Sequence, residues 1–289
     1  MKGIVLAGGT GSRLWPITRT VSKQLLPVYD KPMIYYPIST LMLAGIREIL
    51  IITTPQEEWQ FKQLLGDGSQ LGVSFTFATQ SEPKGLAEAF TIGEKFLAQE
   101  SCLMILGDNI FHGAGLGREI VRELPNSGAH IFTYEVTNPS DYGVLEITSE
   151  GTPLRVTEKP KEFVSNLAIT GLYFFDAEVS KAARDIQPSA RGELEITSLI
   201  EHYLNARKLT VTQLSRGAAW LDTGNPNALN DAANYIRVIE ERTGLKIGCI
   251  EEVAIKNNWA DIPQLIKKFE FPTNDYSRYV LKLADELRP

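Results

Sequence analysis

Residues 2–16 read KGIVLAGGTGSRLWP. The opening KGIVLA, residues 2–7, is short and almost continuously apolar rather than alternating. A run of that kind suits a strand covered on both faces, as in a parallel sheet. It passes straight into Gly8, Gly9 and Gly11, so the glycines fall where the chain leaves the carboxyl end of a strand. Ligands bind at that edge in open α/β sheets. Comparable runs recur at 48–53 (EILIIT), 73–77 (VSFTF) and 101–106 (SCLMIL), separated by helix candidates near 33–45, 57–65 and 85–98. Strand–helix alternation predicts βαβ units with right-handed crossovers, and so a doubly wound, mostly parallel α/β sheet.

From about residue 129 the pattern changes. Segments 129–136, 143–148, 153–158 and 168–175 read as strands separated by Asn-Pro, Glu-Gly and Lys-Pro turn signals. They predict a mixed-sheet extension. Helices are expected over 177–186, 194–206 and 226–242. The tail after 250 is amphipathic, with Ile262, Leu265, Ile266 and Phe269 on one face, which suits an oligomer contact or a cap on the core.

Composition removes several function classes. The 289 residues are 43% hydrophobic and 22% charged, ordinary for a globular protein. No apolar stretch reaches the length of a membrane span, and the N-terminus lacks the long apolar region of a signal peptide, so the cytoplasm is the expected compartment. The two cysteines, Cys102 and Cys249, sit in apolar runs and read as small buried hydrophobes. A net charge of -6 argues against a broad nucleic-acid surface. Before Asp30, however, there is no acidic residue, while Lys2, Arg13, Arg19 and Lys23 all fall in that span. An acid-free basic stretch on an acidic protein points to a held anion, with a chance gap in a surface loop as the alternative.

The loop LAGGTGSRLWP is not the dinucleotide fingerprint, because Leu14 stands where its third glycine belongs. It is not a Walker loop either, since the terminal Gly-Lys-Ser/Thr is missing. Glycines let backbone N–H groups approach phosphate oxygens, and Arg13 adds a fork of donors that fits them. A tight strand-to-loop turn is the plainer reading; Arg13 and Lys23 in one stretch favour phosphate. In ILGDNIF, residues 105–111, an apolar strand ends in Gly107-Asp108-Asn109, and AAWLDTGN offers a second carboxylate at Asp222. Two carboxylates with phosphate oxygens and water make a Mg²⁺ site. Each aspartate alone reads equally well as a turn, and the sequence does not bring the two together. Glu158-Lys159-Pro160 is either a phosphate and hydroxyl contact or an exposed charged turn. Three histidines without HExxH or a Cys/His cluster disfavour zinc. No activated nucleophile is evident, which suits a reaction whose substrate is itself the nucleophile.

These segments, in this order, resemble the bacterial glucose-1-phosphate thymidylyltransferases of the sugar nucleotidylyltransferase superfamily. The likeness runs through GIVLAGGTGSRLWPIT, VSKQLLPVYDKPMIYYPISTLMLAGIREILIITTP, LLGDGSQLGV, GLAEAF, LGDNIF, EKP, TGLYFFD, SARGELEIT and AWLDTG. It implies a Rossmann-like fold with a nucleotidylyltransferase domain over 1–240, divided into a nucleotide-binding part at about 1–128 and a sugar-phosphate part at about 129–225. An oligomeric or regulatory helical region at 241–289 follows. Gly8, Gly9, Gly11, Ser12 and Arg13 would hold the triphosphate of dTTP, with Lys23 at the phosphates and Gln24 nearby. Gln80, Pro83 and Gly85 would meet the thymine, Gln80 reading its edge. Asp108 and Asp222 would ligate Mg²⁺. Asn109, Tyr142, Gly143, Glu158, Lys159, Ile169 and Trp220 would line the pocket for glucose 1-phosphate, Lys159 on its phosphate. Arg13, Lys23, Asp108 and Lys159 are the implied catalytic residues; dTDP-glucose and pyrophosphate are the implied products. The product would feed synthesis of dTDP-rhamnose or another deoxysugar, with feedback by dTDP-rhamnose and a homotetrameric assembly.

The departures are few. Trp15 stands where relatives often have Tyr, and Lys84 where they often have an acidic or other polar residue. His112-Gly113-Ala114-Gly115 differs in the segment that contributes to the family's second, regulatory site. Rival readings are the same mechanism with UTP or galactose 1-phosphate, and a non-catalytic sensor of nucleotide sugars. Intact Arg13, Lys23, Asp108 and Asp222 argue against the sensor.

Overall fold

The computed structural model describes residues 1–9, 11–269 and 274–286. The apolar runs become strands: β1 (Lys2–Leu6), the small hairpin β2 (Pro27–Val28) and β3 (Lys31–Pro32), β4 (Glu48–Thr53), β5 (Ser74–Thr79) and β6 (Cys102–Leu106). They continue with β7 (Asn109–His112), β8 (Ala129–Glu135), β9 (Gly143–Ile147) and β10 (Pro153–Glu158). The last are β11 (Leu167–Phe175), β12 (Leu209–Gln213) and β13 (Ala219–Asp222). The nine-stranded main sheet runs β10-β9-β11-β6-β1-β4-β5, with β8 pairing β11 and β12. β6, β1, β4 and β5 are mutually parallel, and β11 meets β6 antiparallel, so the predicted parallel half and mixed extension form one sheet.

Continuous hydrophobicity in β1 has the expected cause. Val5 and Ala7 face one core layer, built with Ile38, Leu41 and Ile250. Ile4 and Leu6 face the other, with Ala87, Phe90 and Leu199. Every one of these positions leaves water, and full burial of each large aliphatic side chain is worth about 1.5–3 kcal/mol. Leu265 of the tail is buried in the first layer, and Ile262, Ile266 and Phe269 pack on it partly exposed. The helix Ile250–Lys256 also lies against the helix Tyr35–Leu43.

The expected helix over 85–98 is two short pieces, Glu88–Ile92 and Glu94–Leu97, meeting at Gly93. Its first residues are held elsewhere: the Leu194 N–H donates to the Lys84 carbonyl (2.7 Å) and the Ala87 N–H to the Leu194 carbonyl (3.1 Å). Gly85 has φ +104, and a Cβ there would lie 2.3 Å from the Leu194 oxygen, so only glycine fits. Strands β2, β3, β7, β12 and β13, and the helix Leu116–Glu123, were not anticipated.

The helix Pro226–Thr243 has sharp ends. The Asn225 side chain accepts from the Ala228 N–H (3.0 Å), Pro226 opens the first turn, and Gly244 closes it at φ 70. Buried Glu240 on this helix accepts from Lys31 Nζ (2.8 Å), Lys246 Nζ (2.7 Å) and the Ile247 N–H (2.9 Å). Both lysines also pair with Asp30, so the β2–β3 hairpin and the segment after the helix are joined by buried charge.

Candidate active site

Parallel pairing of β1 with β6, from Lys2–Cys102 to Leu6–Leu106, brings the glycine loop and Gly107-Asp108-Asn109 out side by side. The chain then turns into β7, which pairs antiparallel with β13 and sets Asp222 opposite Asn109. Thr223 closes the junction, its N–H and Oγ1 both donating to the Asp108 carbonyl at 3.2 and 2.8 Å. This ribbon brings together the two aspartates that the sequence leaves apart.

Two adjoining lobes open here. The smaller, about 220 Å³, is lined by Gly8, Gly9, Gly11, Ser12, Arg13, Lys23, Gln24, Asp108 and Gly224. Lys23 is buried and ion-paired with Asp108 Oδ2, while Asp108 Oδ1 accepts from Asn109 Nδ2 (2.9 Å). The Arg13 guanidinium lies over Gly224, where a Cβ would come within 2.9 Å of Nη2. Of the other early cations, Lys2 is committed elsewhere, donating to the Phe96 carbonyl (2.7 Å) and pairing with Glu48 and Glu100. Arg19 lines neither lobe.

The larger lobe, about 310 Å³, shares Gly8, Arg13, Gln24 and Asp108 with the first. Asn109, Tyr142, Gly143, Glu158, Lys159, Ile169, Trp220 and Asp222 also line it. The β9–β10 hairpin sets Glu158 opposite Gly143, where a Cβ would press on Thr197 at 2.9 Å. Asn109 Oδ1 accepts from Trp220 Nε1 (2.6 Å) and from the Gly171 N–H (3.2 Å). Gly171 sits between the part of β11 paired with β6 and Ala168, which pairs with β9, so the lobe opens where β6 leaves β11. Lys159 adopts φ 42, uncommon for a residue with a side chain, and its N–H donates to the Tyr142 carbonyl (3.0 Å). Its side chain is half exposed.

Sequence reasoning missed part of this wall: Asp141, Arg191, Glu193, Glu195, Thr197 and Gly224. Arg191 pairs with Glu195 (2.8 Å) and Glu158 (3.4 Å). Apart from Asp141, these residues lie in SARGELEIT and AWLDTG, segments that carry the family likeness but, Trp220 and Asp222 aside, no assigned site role in the sequence reading. Conversely, Gln80, Pro83 and Gly85 line neither lobe. Gln80 is buried with its Oε1 beside Gly8, and Pro83 is exposed.

A glycine loop, an Arg–Lys pole and two carboxylates at one sheet edge coincide with a match to the nucleotidyl transferase family model over residues 2–238. The chain belongs to the nucleotidyl transferase family. It is 51% identical over 286 residues to a glucose-1-phosphate thymidylyltransferase of Mycobacterium tuberculosis, covering 99% of each chain. It is equally close to one from Xanthomonas campestris, covering 98% of this chain and 97% of that one. A Bacillus anthracis structure in complex with a sucrose, provisionally given the same name, superposes with TM-score 0.76 at 39% identity, over 82% of this chain and 95% of that one. A UDP-glucose pyrophosphorylase complexed with UDP-glucose, 24% identical, shares the fold at TM-score 0.73, over 82% of this chain and 98% of that one.

Charge in this nucleotidyl transferase's cleft is out of balance. Burial, then the nearby Asp108 carboxylate, push Asp222 up to about 6 against the opposing pull of Lys23 and Arg13. Burial, then Glu195, raise Glu158 although Lys159 and Arg191 stand close. Burial, then Asp222, raise Tyr142. Each shift reflects a charge that the nearby cations only partly offset.

A wider cavity, about 560 Å³, lies elsewhere, and its lining includes Leu43, His112, Gly113, Gly115, Lys246 and Cys249. It has neither the glycine loop nor the paired aspartates, so the smaller cleft is the better catalytic candidate. His112 Nδ1 is hydrogen-bonded to the Tyr235 hydroxyl at 2.8 Å. Both cysteines are free and buried, and no helix among the described residues is long and apolar enough to cross a membrane.

Proposed function

We propose that this nucleotidyl transferase moves the thymidylyl group of dTTP to glucose 1-phosphate, giving dTDP-glucose and pyrophosphate. The observation that carries the reading is the β7–β13 ribbon, which sets Asp222 beside Asp108 at the seam of two lobes. One lobe has backbone N–H groups, Arg13 and Lys23 for a triphosphate; the other has the mixed polar and aromatic wall of a sugar site. The names of relatives matched over nearly the whole chain support the substrate pair.

The donor set fits Mg²⁺. Asp108 and Asp222 are hard oxygen ligands, and the upward shift of Asp222 marks a negative charge that lacks a full counter-ion. Among the described residues no three His, Cys, Asp or Glu form a metal cluster, so Asp108 and Asp222 would hold the ion together with oxygens from substrate and water. Mg²⁺ held there would supply positive charge against the phosphates.

The chain's own residues do the rest. Gly8, Gly9 and Gly11 line the lobe assigned to the triphosphate, their backbone N–H groups serving its oxygens, while Arg13 and Lys23 meet the charge that builds on the leaving pyrophosphate. Lys23 exchanges its Asp108 partner for phosphate as substrate enters. Lys159, Gly143 and Glu158 orient the sugar phosphate, with Tyr142, Ile169 and Trp220 packing around it. Its phosphate oxygen then attacks the α-phosphorus in line; the new P–O bond forms as the bond to the β-phosphate oxygen breaks. Holding two polyanions together removes the entropy of their encounter and screens their repulsion.

The wide cavity behind His112 is the candidate for feedback by dTDP-rhamnose. Leu43 and Leu245 on its wall are 47% and 55% exposed, and Val121 and Val238 lie exposed on neighbouring helices, which favours a subunit contact of a homotetramer. A cytoplasmic setting in dTDP-deoxysugar synthesis completes the reading. Pyrophosphate release is the test, with Mg²⁺, glucose 1-phosphate and each nucleoside triphosphate in turn, against an EDTA control. Fast EDTA-sensitive release with dTTP, slower with UTP, is expected. No release with any triphosphate from folded protein that binds dTDP-glucose would install the sensor reading instead.

A further inference from the structure

Gln80 follows β5 directly, its own N–H bonded to the Thr53 carbonyl (2.8 Å), and is 8% exposed. Its Nε2 donates to Glu88 Oε2 (2.7 Å) and to the Gly85 carbonyl (3.1 Å). Both partners are oxygens that only accept, so they fix which way round the amide sits. Turned over, Oε1 would face a carboxylate and a carbonyl, and both hydrogen bonds would be lost in a buried place. Oε1 therefore points the other way, 3.2 Å from where a Cβ on Gly8 would stand. Gly8 and Leu86 both line the larger lobe. Glu88 arrives as the first residue of the helix Glu88–Ile92, and the Gly85 carbonyl comes from the segment pinned to Leu194.

We propose that Glu88 is a positioning residue for base selection, holding Gln80 so that the incoming base meets a hydrogen-bond acceptor and no amide donor. The inference rests on the nucleotide reading above and adds how the base is chosen. A free glutamine reads a donor or an acceptor equally, by turning its amide over. A glutamate side chain behind it, accepting from Nε2, removes that choice. The oxygen turned toward Gly8 takes a pyrimidine whose ring nitrogen carries hydrogen, as N3 does in thymine and uracil. Cytosine presents a lone pair at N3, and its amine lies one position further along the ring edge. Glu88 thus selects the imide bases as a class.

The test compares kcat/KM for dTTP and dCTP, with glucose 1-phosphate and Mg²⁺, in the wild type and in E88Q. The replacement is nearly isosteric, and its amide can offer a donor, so that only the Gly85 carbonyl still opposes turning Gln80 over. The preference for dTTP over dCTP is expected to fall at least ~10-fold, since sites built on hydrogen bonds discriminate far more steeply than sites built on packing. KM for glucose 1-phosphate and the urea midpoint should hold, which separates base selection from a general loss of structure. A preference unchanged in E88Q, whether activity stays or drops equally with both nucleotides, overturns the inference while leaving the thymidylyltransferase reading intact. A wild type inactive with dTTP overturns both.

Discussion

Asp222→Asn should stabilise the protein while disabling it. Its carboxyl rises from an ordinary 3.8 to about 6 through burial and then the charge of Asp108. At about 1.4 kcal/mol per tenfold change in proton affinity, that is about 3 kcal/mol against folding once the group is ionised in both states. The sign follows from linkage: with a raised folded pKa, the folded state binds more protons, so stability falls as pH rises from the ordinary value through about 6. Asparagine never ionises and escapes the cost. In EDTA at about pH 7.5 the variant should unfold later by about 3 kcal/mol, with the gain about halved near pH 5 and almost gone near pH 4. Thermal unfolding should show a shift of about 5–8 °C at the higher pH. Turnover should drop at least ~100-fold, the usual cost of removing one preorganised electrostatic group. Excess Mg²⁺ should narrow the gap by stabilising the wild type more than the variant. A gain independent of pH, or no gain in EDTA, would refute the argument that paired carboxylates are held here at a cost to folding.

Other outcomes follow from the same geometry. Arg13→Ala or Asp108→Asn should each lower kcat at least ~100-fold, and normal turnover by folded Asp108→Asn would remove the metal assignment. Gly171→Ala places a Cβ 2.5 Å from Asn109 Oδ1. It should cost about 1–3 kcal/mol in urea unfolding and reduce activity by displacing Asn109, which hydrogen-bonds both Trp220 and Asp108. His130 is buried, its Nε2 has no partner, and burial pushes its pKa down to about 4. The unfolded chain therefore binds the extra proton first, and stability should fall by about 2 kcal/mol between pH 7 and pH 5, a loss that His130→Phe abolishes.

The parallel half of the sheet was legible because burial on both faces writes itself as continuous apolar runs, as in β1 and β4. The helix expected over 85–98 starts late because apolar spacing does not reveal that Leu194 holds Lys84 and Ala87 through backbone hydrogen bonds. β7 and β13 went unread for a related reason. Each is only four residues long, and each takes its meaning from the other. The aspartates were therefore visible singly as strand-end carboxylates, while their partnership depends on a long-range pairing that local pattern does not encode. The early cations show the converse limit. Charge counted along the chain placed Lys2 with Arg13 and Lys23, yet the strand carries Lys2 to the far end of the sheet, against Glu48 and Glu100.

The charges on buried Lys31 and Glu240 and on partly buried Asp30 and Lys246 bear on recombination between relatives. The four come from opposite ends of the chain and compensate one another in a place where a lone charge is not tolerated. A chimera that takes its early hairpin from this chain and its later helices from a relative lacking the matching acid or base would strand an ion inside the fold. That mismatch would cost about 3–5 kcal/mol, a large part of the stability of an ordinary protein. The hairpin and the long helix must therefore be inherited as a set, although more than two hundred positions separate Lys31 from Glu240.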